Sequence, residues 1–273
     1  MCWHLFHHLR GYVVAQNPVT SSNASDVEQR KLLEILVRSS SLSADDLKSL
    51  LVAMDNFDVV AKVFLLEGVP FVFSGSPMKY LIFREQVADR FEIGYQDVCI
   101  VGSAKLGFSP SPHKFGQPFA VTSDVDVVVI SSDMFDRGTR ELFQHLNHVG
   151  PPLDFQNAKP VTVESREWRL HREAVRNFVY ENFNPSHLPE GHFLRSQIFS
   201  NIASTSALFL ALEPQVFVSK IRCRIFRHWR AAEAYYVNTL RQLKKQLGSN
   251  DKFRPASGEI DFDEDDPVAA TTA

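Results

Sequence analysis

Cysteine is scarce in this chain. Cys2, Cys99 and Cys223 are the only three, they lie far apart, no two stand at metal-ligand spacing, and one is left over in any disulfide scheme. Such usage excludes a disulfide scaffold and predicts a cytoplasmic protein in a reducing compartment. Long apolar runs are missing too. Polar residues interrupt every candidate, including residues 198–212, so none reaches the roughly 18 apolar residues of a membrane span and no membrane partner is expected. The opening Met1-Cys2-Trp3-His4-Leu5-Phe6-His7-His8-Leu9-Arg10 lacks the apolar core and small-residue cleavage site of a signal peptide. No Gly-x-Ser-x-Gly elbow, no Walker loop and no His-Glu-x-x-His occurs, which removes the usual support for hydrolase, P-loop and zincin chemistry. The pairs His145/His148 and His7/His8 have no third ligand at the right spacing and read as surface or core histidines.

What is present begins with length. The chain has 273 residues, 44% of them hydrophobic, enough to fill a sizeable core. Residues 1–26 read as an extension and linker, with Ser, Thr and Asn crowded into residues 17–26; residues 27–248 read as one domain. From residue 249 the composition turns to Gly, Ser, Pro, Ala and acid, and a disordered acidic tail is expected over 249–273. The formal net charge of -3 hides an asymmetry. Asp251, Glu259, Asp261, Asp263, Glu264, Asp265 and Asp266 outnumber Lys252 and Arg254 in the tail, whereas residues 214–248 set eight bases against Glu233 alone.

The periodicity predicts helices in the N-terminal quarter, one capped at Ser25 or Asp26 and a second opened by the capping box Ser43-Ala44-Asp45-Asp46. Residues 59–66 continue the second or form a third. A further helix starts at Ser76-Pro77 with Met78, Leu81, Ile82, Ala88 and Phe91 on its apolar face. Strands are expected over 97–102, 124–131 and 216–226, with a short one at 161–163, and helices over 132–148, 164–182, 192–212 and from Trp229 onward. The result is an α/β (α+β) fold, a small mixed sheet flanked by helices with helical additions at both ends.

Two segments carry chemistry. Val98-Cys99-Ile100-Val101 runs into Gly102-Ser103, and Ser123-Asp124-Val125-Asp126 opens a very apolar strand. Alternation along a strand sets Asp124 and Asp126 on one face, where their charges repel unless a cation lies between them. Carboxylates so placed suit Mg²⁺ or Mn²⁺, and Mg²⁺ commonly accompanies phosphate. Glycine lets backbone approach a phosphate, serine adds an N–H and a hydroxyl where a helix N-terminus would favour anions, and Lys105 is placed to add a point charge. The alternative is a pair of solvated strand-end acids.

Gly102-Ser103 followed by Ser123-Asp124-Val125-Asp126 resembles the signature of the polymerase-beta-like nucleotidyltransferase superfamily, which includes polynucleotide adenylyltransferases, bacterial cyclic-nucleotide synthases, oligoadenylate synthases and small toxin or antitoxin nucleotidyltransferases. The resemblance implies a nucleotidyltransferase-type sheet in which Gly102, Ser103, Lys105 and Ser123 hold a nucleoside triphosphate, while Asp124 and Asp126 are catalytic and hold the metal. It also implies transfer of a nucleoside monophosphate to an RNA, protein or nucleotide acceptor, in a cytoplasmic toxin or phage-defence setting that includes a partner protein. Two departures stand out. The Gly-Ser turn and the acids are separated by an insertion, Ser109-Pro110-Ser111-Pro112-His113-Lys114-Phe115-Gly116-Gln117-Pro118, which reads as a flap or a neutral surface loop. The third acid that active members carry on a later strand is not evident, because residues 216–226 offer Lys220, Arg222 and Arg224 instead; Asp154 and Glu164 are substitutes.

Two alternatives follow from these departures. One is a catalytically weak module that binds nucleotide or RNA within a larger complex, using Lys220, Arg222 and Arg224 for phosphate and Tyr235 or Tyr236 for stacking; against that, the basic strand reads as a protected sheet edge. The other is a sugar-nucleotide glycosyltransferase, whose Asp-x-Asp normally closes a strand rather than opening one.

Overall fold

Four strands organise the molecule: β1 (Val98–Val101), β2 (Val125–Ile130), β3 (Asn182–Phe183) and β4 (Ile221–Phe226). β1 pairs antiparallel with β2, β2 parallel with β4, and β4 antiparallel with β3, in the order β1-β2-β4-β3. The computed structural model describes residues 42–149, 176–188, 191–216 and 220–248. The first expected helix, the strand at 161–163, most of the helix over 164–182, Asp154, Glu164, the extension and the acidic tail lie outside the described residues.

The helices follow their local signals. α1 (Ala44–Ala53) begins at Ser43, whose hydroxyl accepts from the Asp46 amide while Asp46 reaches back to the Ser43 backbone, closing the capping box. α2 (Asp58–Val60) runs directly into a wider π-helical turn, Ala61–Leu66. α3 (Pro77–Phe91) has proline in its first turn, and α4 (Gly102–Leu106) is a single short turn after β1. α5 (Ser132–Val149), α6 (Phe193–Leu212) and α7 (Trp229–Gly248) complete the frame.

One face of the sheet presents Val98, Ile100, Val125, Val127, Val129, Ile221, Cys223 and Ile225 to a core built with α3, α5 and α6. Phe73 is its hub, with Phe83 at 5.6 Å and Phe209 at 5.4 Å between ring centroids. The opposite face carries Cys99, Val101, Val128, Ile130 and Phe226 against Leu66, Ala231 and Ala232, with Tyr235 and Tyr236 of α7 packed alongside.

Three expectations change here. α3 buries Tyr80, Phe83, Val87, Ala88 and Phe91, and leaves Met78 (64%) and Ile82 (39%) exposed. Two apolar stripes compete on this helix, and the one holding three aromatic rings covers more surface. β4 starts at Ile221 and lies between β2 and β3, so it is an interior strand and its bases protect no edge. Asn182, expected to end a helix, opens β3, after the chain turns through Glu181 at φ 50°.

Candidate functional site

The site starts where β1 ends. Val98–Val101 is buried throughout, and the chain leaves the sheet at Gly102 with φ 68°, a left-handed conformation that L side chains rarely adopt. Register decides what Gly102 meets. Val101 stands opposite Asp126, so the turn lies beside the acid strand. A Cβ added to Gly102 would fall 2.8 Å from Asp126 Oδ2, closer than real carbon atoms come. The glycine therefore makes room for a carboxylate at the mouth of the turn. Ser103 is half-buried in the next position, and its hydroxyl has no hydrogen-bond partner among the described residues. α4 has only five residues, so the turn has its own N–H groups to offer an anion, and little macrodipole.

Asp126 lies in β2 and Asp124 immediately precedes it, with Cα atoms about 6.5–7 Å apart for extended chain. Both are half-buried, with 19% of the Asp124 side chain exposed. Their repulsion is offset by a residue that sequence reasoning placed elsewhere. β4 runs parallel to β2 with Arg222 opposite Asp126, and the Arg222 guanidinium donates through Nη2 to Asp124 Oδ2 at 2.7 Å. A charge-assisted hydrogen bond of that length is among the stronger polar contacts a protein makes. The later strand, where a third acid would stand, thus places a base opposite Asp126 and bonded to Asp124. The alternation of Arg222 and Arg224 with Ile221, Cys223 and Ile225 was the available signal, but only the pairing of β4 with β2 aims it at Asp124.

The remaining expected site residues have other engagements. Ser123 closes the turn before β2: its amide donates to the Ala120 carbonyl, and its hydroxyl accepts from the Ala120 amide at 3.0 Å. Lys105 is buried at 8% exposure and its ammonium donates to the Glu67 carbonyl. Burial pushes its pKa down to about 8, against the pull of Cys99 and Glu67. It packs under the π-helical turn, and the geometry gives the phosphate role no support. The insertion folds as a closed loop, with Phe108 bridged to Pro118, Phe119 donating to the Gly107 carbonyl, and Phe108 edge-on to Phe115.

Arg224 also turns inward. Its Nη1 donates to Asn182 Oδ1 at 3.0 Å and its guanidinium lies 5.0 Å from the centre of the Tyr235 ring. These contacts lock β3, β4 and α7 together, which argues against the RNA-facing role expected of Arg224 and Tyr235. Tyr236 packs on the same face; burial foremost, with Tyr235, Cys99 and Asp126 adding to it, holds its phenol well above the ordinary range.

The donor set fits one Mg²⁺ arriving with a polyphosphate. That ion takes one or two carboxylates from protein and the rest of its shell from phosphate and water, and the missing Gly102 side chain leaves Asp126 approachable. No group of three or more His, Cys, Asp or Glu side chains suited to a metal occurs among the described residues. A cavity of about 410 Å³ lies elsewhere, between Ile130, Ser131, Asp133, Arg227, His228 and Trp229. It opens at the far end of β2, about 15 Å along the strand from the acids. Its bases face acids already: Arg227 meets Asp136 and Glu181, and His228 meets Glu181. Chemistry therefore weighs for the acid pair and against this cavity. A scan against protein-family models and searches of curated proteins and of solved structures each return no match.

Proposed function

We propose that this chain is a nucleotidyltransferase-type protein that takes up a nucleoside triphosphate with Mg²⁺ or Mn²⁺ and passes the nucleoside monophosphate to an acceptor hydroxyl, releasing pyrophosphate. The observation that carries the reading is the approach of Gly102 to Asp126, which joins a small-residue turn to an acid pair across neighbouring strands. In this reading the Gly102-Ser103 turn holds phosphate oxygens through its N–H groups and the Ser103 hydroxyl, which orients the chain of phosphates for in-line displacement. Asp124 and Asp126 hold the ion, which when bound supplies charge neutralisation at the reacting phosphate. Partial burial of the acids keeps bulk water from screening these contacts.

A second reading has its own support. Arg222 stands in register with Asp126 where an active enzyme of the resembled type would carry a third carboxylate, and this favours a module that binds nucleotide without turning it over. Incubation with Mg²⁺ or Mn²⁺ and each labelled nucleoside triphosphate, with and without RNA, separates the two. Pyrophosphate release that disappears in Asp124→Asn/Asp126→Asn identifies the transferase. Saturable nucleotide binding that needs the same acids, with no release, identifies the silent module. Absence of both removes the nucleotide.

A further inference from the structure

The Arg222 guanidinium reaches from its position opposite Asp126 to bond Asp124, so one cation from a neighbouring strand stands beside the acid pair. We propose that Arg222 is a built-in counter-ion that guards the acid pair against bare divalent cations and yields it only to a cation arriving with a polyphosphate. The proposal rests on the nucleotide reading above and adds the origin of its selectivity.

Charge decides which cation the acid pair accepts. A free Mg²⁺ or Mn²⁺ entering between Asp124 and Asp126 has to break the 2.7 Å bond and remain beside the displaced guanidinium, three positive charges against two negative ones. A polyphosphate changes that balance. Its oxygens offer the planar guanidinium a forked acceptor in place of Asp124, so the arginine moves from carboxylate to phosphate while the metal takes the carboxylate. Arg224 and Lys105 are poor substitutes: Arg224 is tied to Asn182 and Tyr235, and Lys105 donates to Glu67. By linkage, the factor by which nucleotide strengthens metal binding equals the factor by which metal strengthens nucleotide binding. Arg222 is on this account a positioning and selectivity residue, and its signature is in metal affinity without any turnover.

The test titrates Mn²⁺ alone into the full chain by electron paramagnetic resonance, for wild type, Arg222→Gln and Arg222→Lys, and repeats it with a saturating non-hydrolysable nucleoside triphosphate analogue. Arg222→Gln should bind Mn²⁺ without nucleotide about tenfold more tightly than wild type, a change on the scale of one charge-assisted contact, and should lose most of the coupling between Mn²⁺ and nucleotide. Equal Mn²⁺ affinity in Arg222→Gln and wild type overturns the proposal. Should Arg222→Gln fail to fold, Arg222→Lys decides: it keeps the charge and so the weak binding of bare Mn²⁺, but lacks the fork, and coupling undiminished from wild type overturns the proposal. A wild type that binds no nucleotide at any Mn²⁺ concentration refutes the function and the handover together. Nucleotide binding with no gain in Arg222→Gln refutes the counter-ion alone.

Discussion

At the scale of single residues the site turns on Gly102. Its φ of 68° and the 2.8 Å clearance to Asp126 Oδ2 leave no space for a methyl group. Gly102→Ala should cost about 1–2 kcal/mol of stability from the left-handed backbone alone, and should weaken nucleotide binding further by displacing Asp126. Chemical denaturation and nucleotide titration of the same variant measure the two effects. Lys105 gives a different kind of prediction. Its pKa in the folded chain, about 8, lies below the ordinary 10.5, so between these values the unfolded chain binds more protons and stability rises with pH. Relative to Lys105→Met, wild type should gain on the order of 1–3 kcal/mol between pH 8 and 10.5; a flat difference across that window would show that the ammonium is solvated. The contrast also marks what sequence can reveal about a residue. The small-residue turn and the closely spaced acids are local patterns, legible from spacing. The burial of Lys105 under a π-helical turn is a property of distant packing, and no neighbour in sequence announces it.

Elements behave by the same division. The ends of β1, β2, α5, α6 and α7 fall within a residue or two of where the sequence puts them, because the Ser131 hydroxyl before α5, the His192 cap of α6 and runs of valine are local. Which face of α3 turns inward was not legible, since two stripes were available and only the sheet chose between them. The partner of β4 was likewise hidden, and Arg222 with it. α5 offers a sharp test of packing between elements. Gly138 lies in the middle of that helix, where alanine normally stabilises by up to about 1 kcal/mol. Here a Cβ would meet the Phe183 ring at 2.7 Å, and that ring is buried at 3% exposure in the main core. Gly138→Ala should therefore destabilise, by about 1–3 kcal/mol as overpacking does, and thermal unfolding reads the sign directly. A more stable variant would mean that β3 moves freely against α5.

For the whole molecule, binding and folding are linked. A ligand that engages Gly102, Ser103, Asp124 and Asp126 bridges β1 and β2, and through Arg222 reaches β4, so it stabilises the sheet as a unit. At a hundredfold excess over its dissociation constant, Mg²⁺ with nucleoside triphosphate should add about 2.7 kcal/mol. The matching rise in melting temperature should vanish in Asp124→Asn/Asp126→Asn, whereas a rise that survives would place the ligand elsewhere.

The pairing of β2 with β4 carries one more consequence. α5, β3 and α6 all intervene between these two strands in the chain, and contacts so remote in sequence form late. Until β4 docks, the antiparallel β1–β2 pair holds its carboxylates with no arginine to quiet them. Refolding followed with and without Mg²⁺ should then differ in rate, since an ion present before β4 docks can neutralise the acids first.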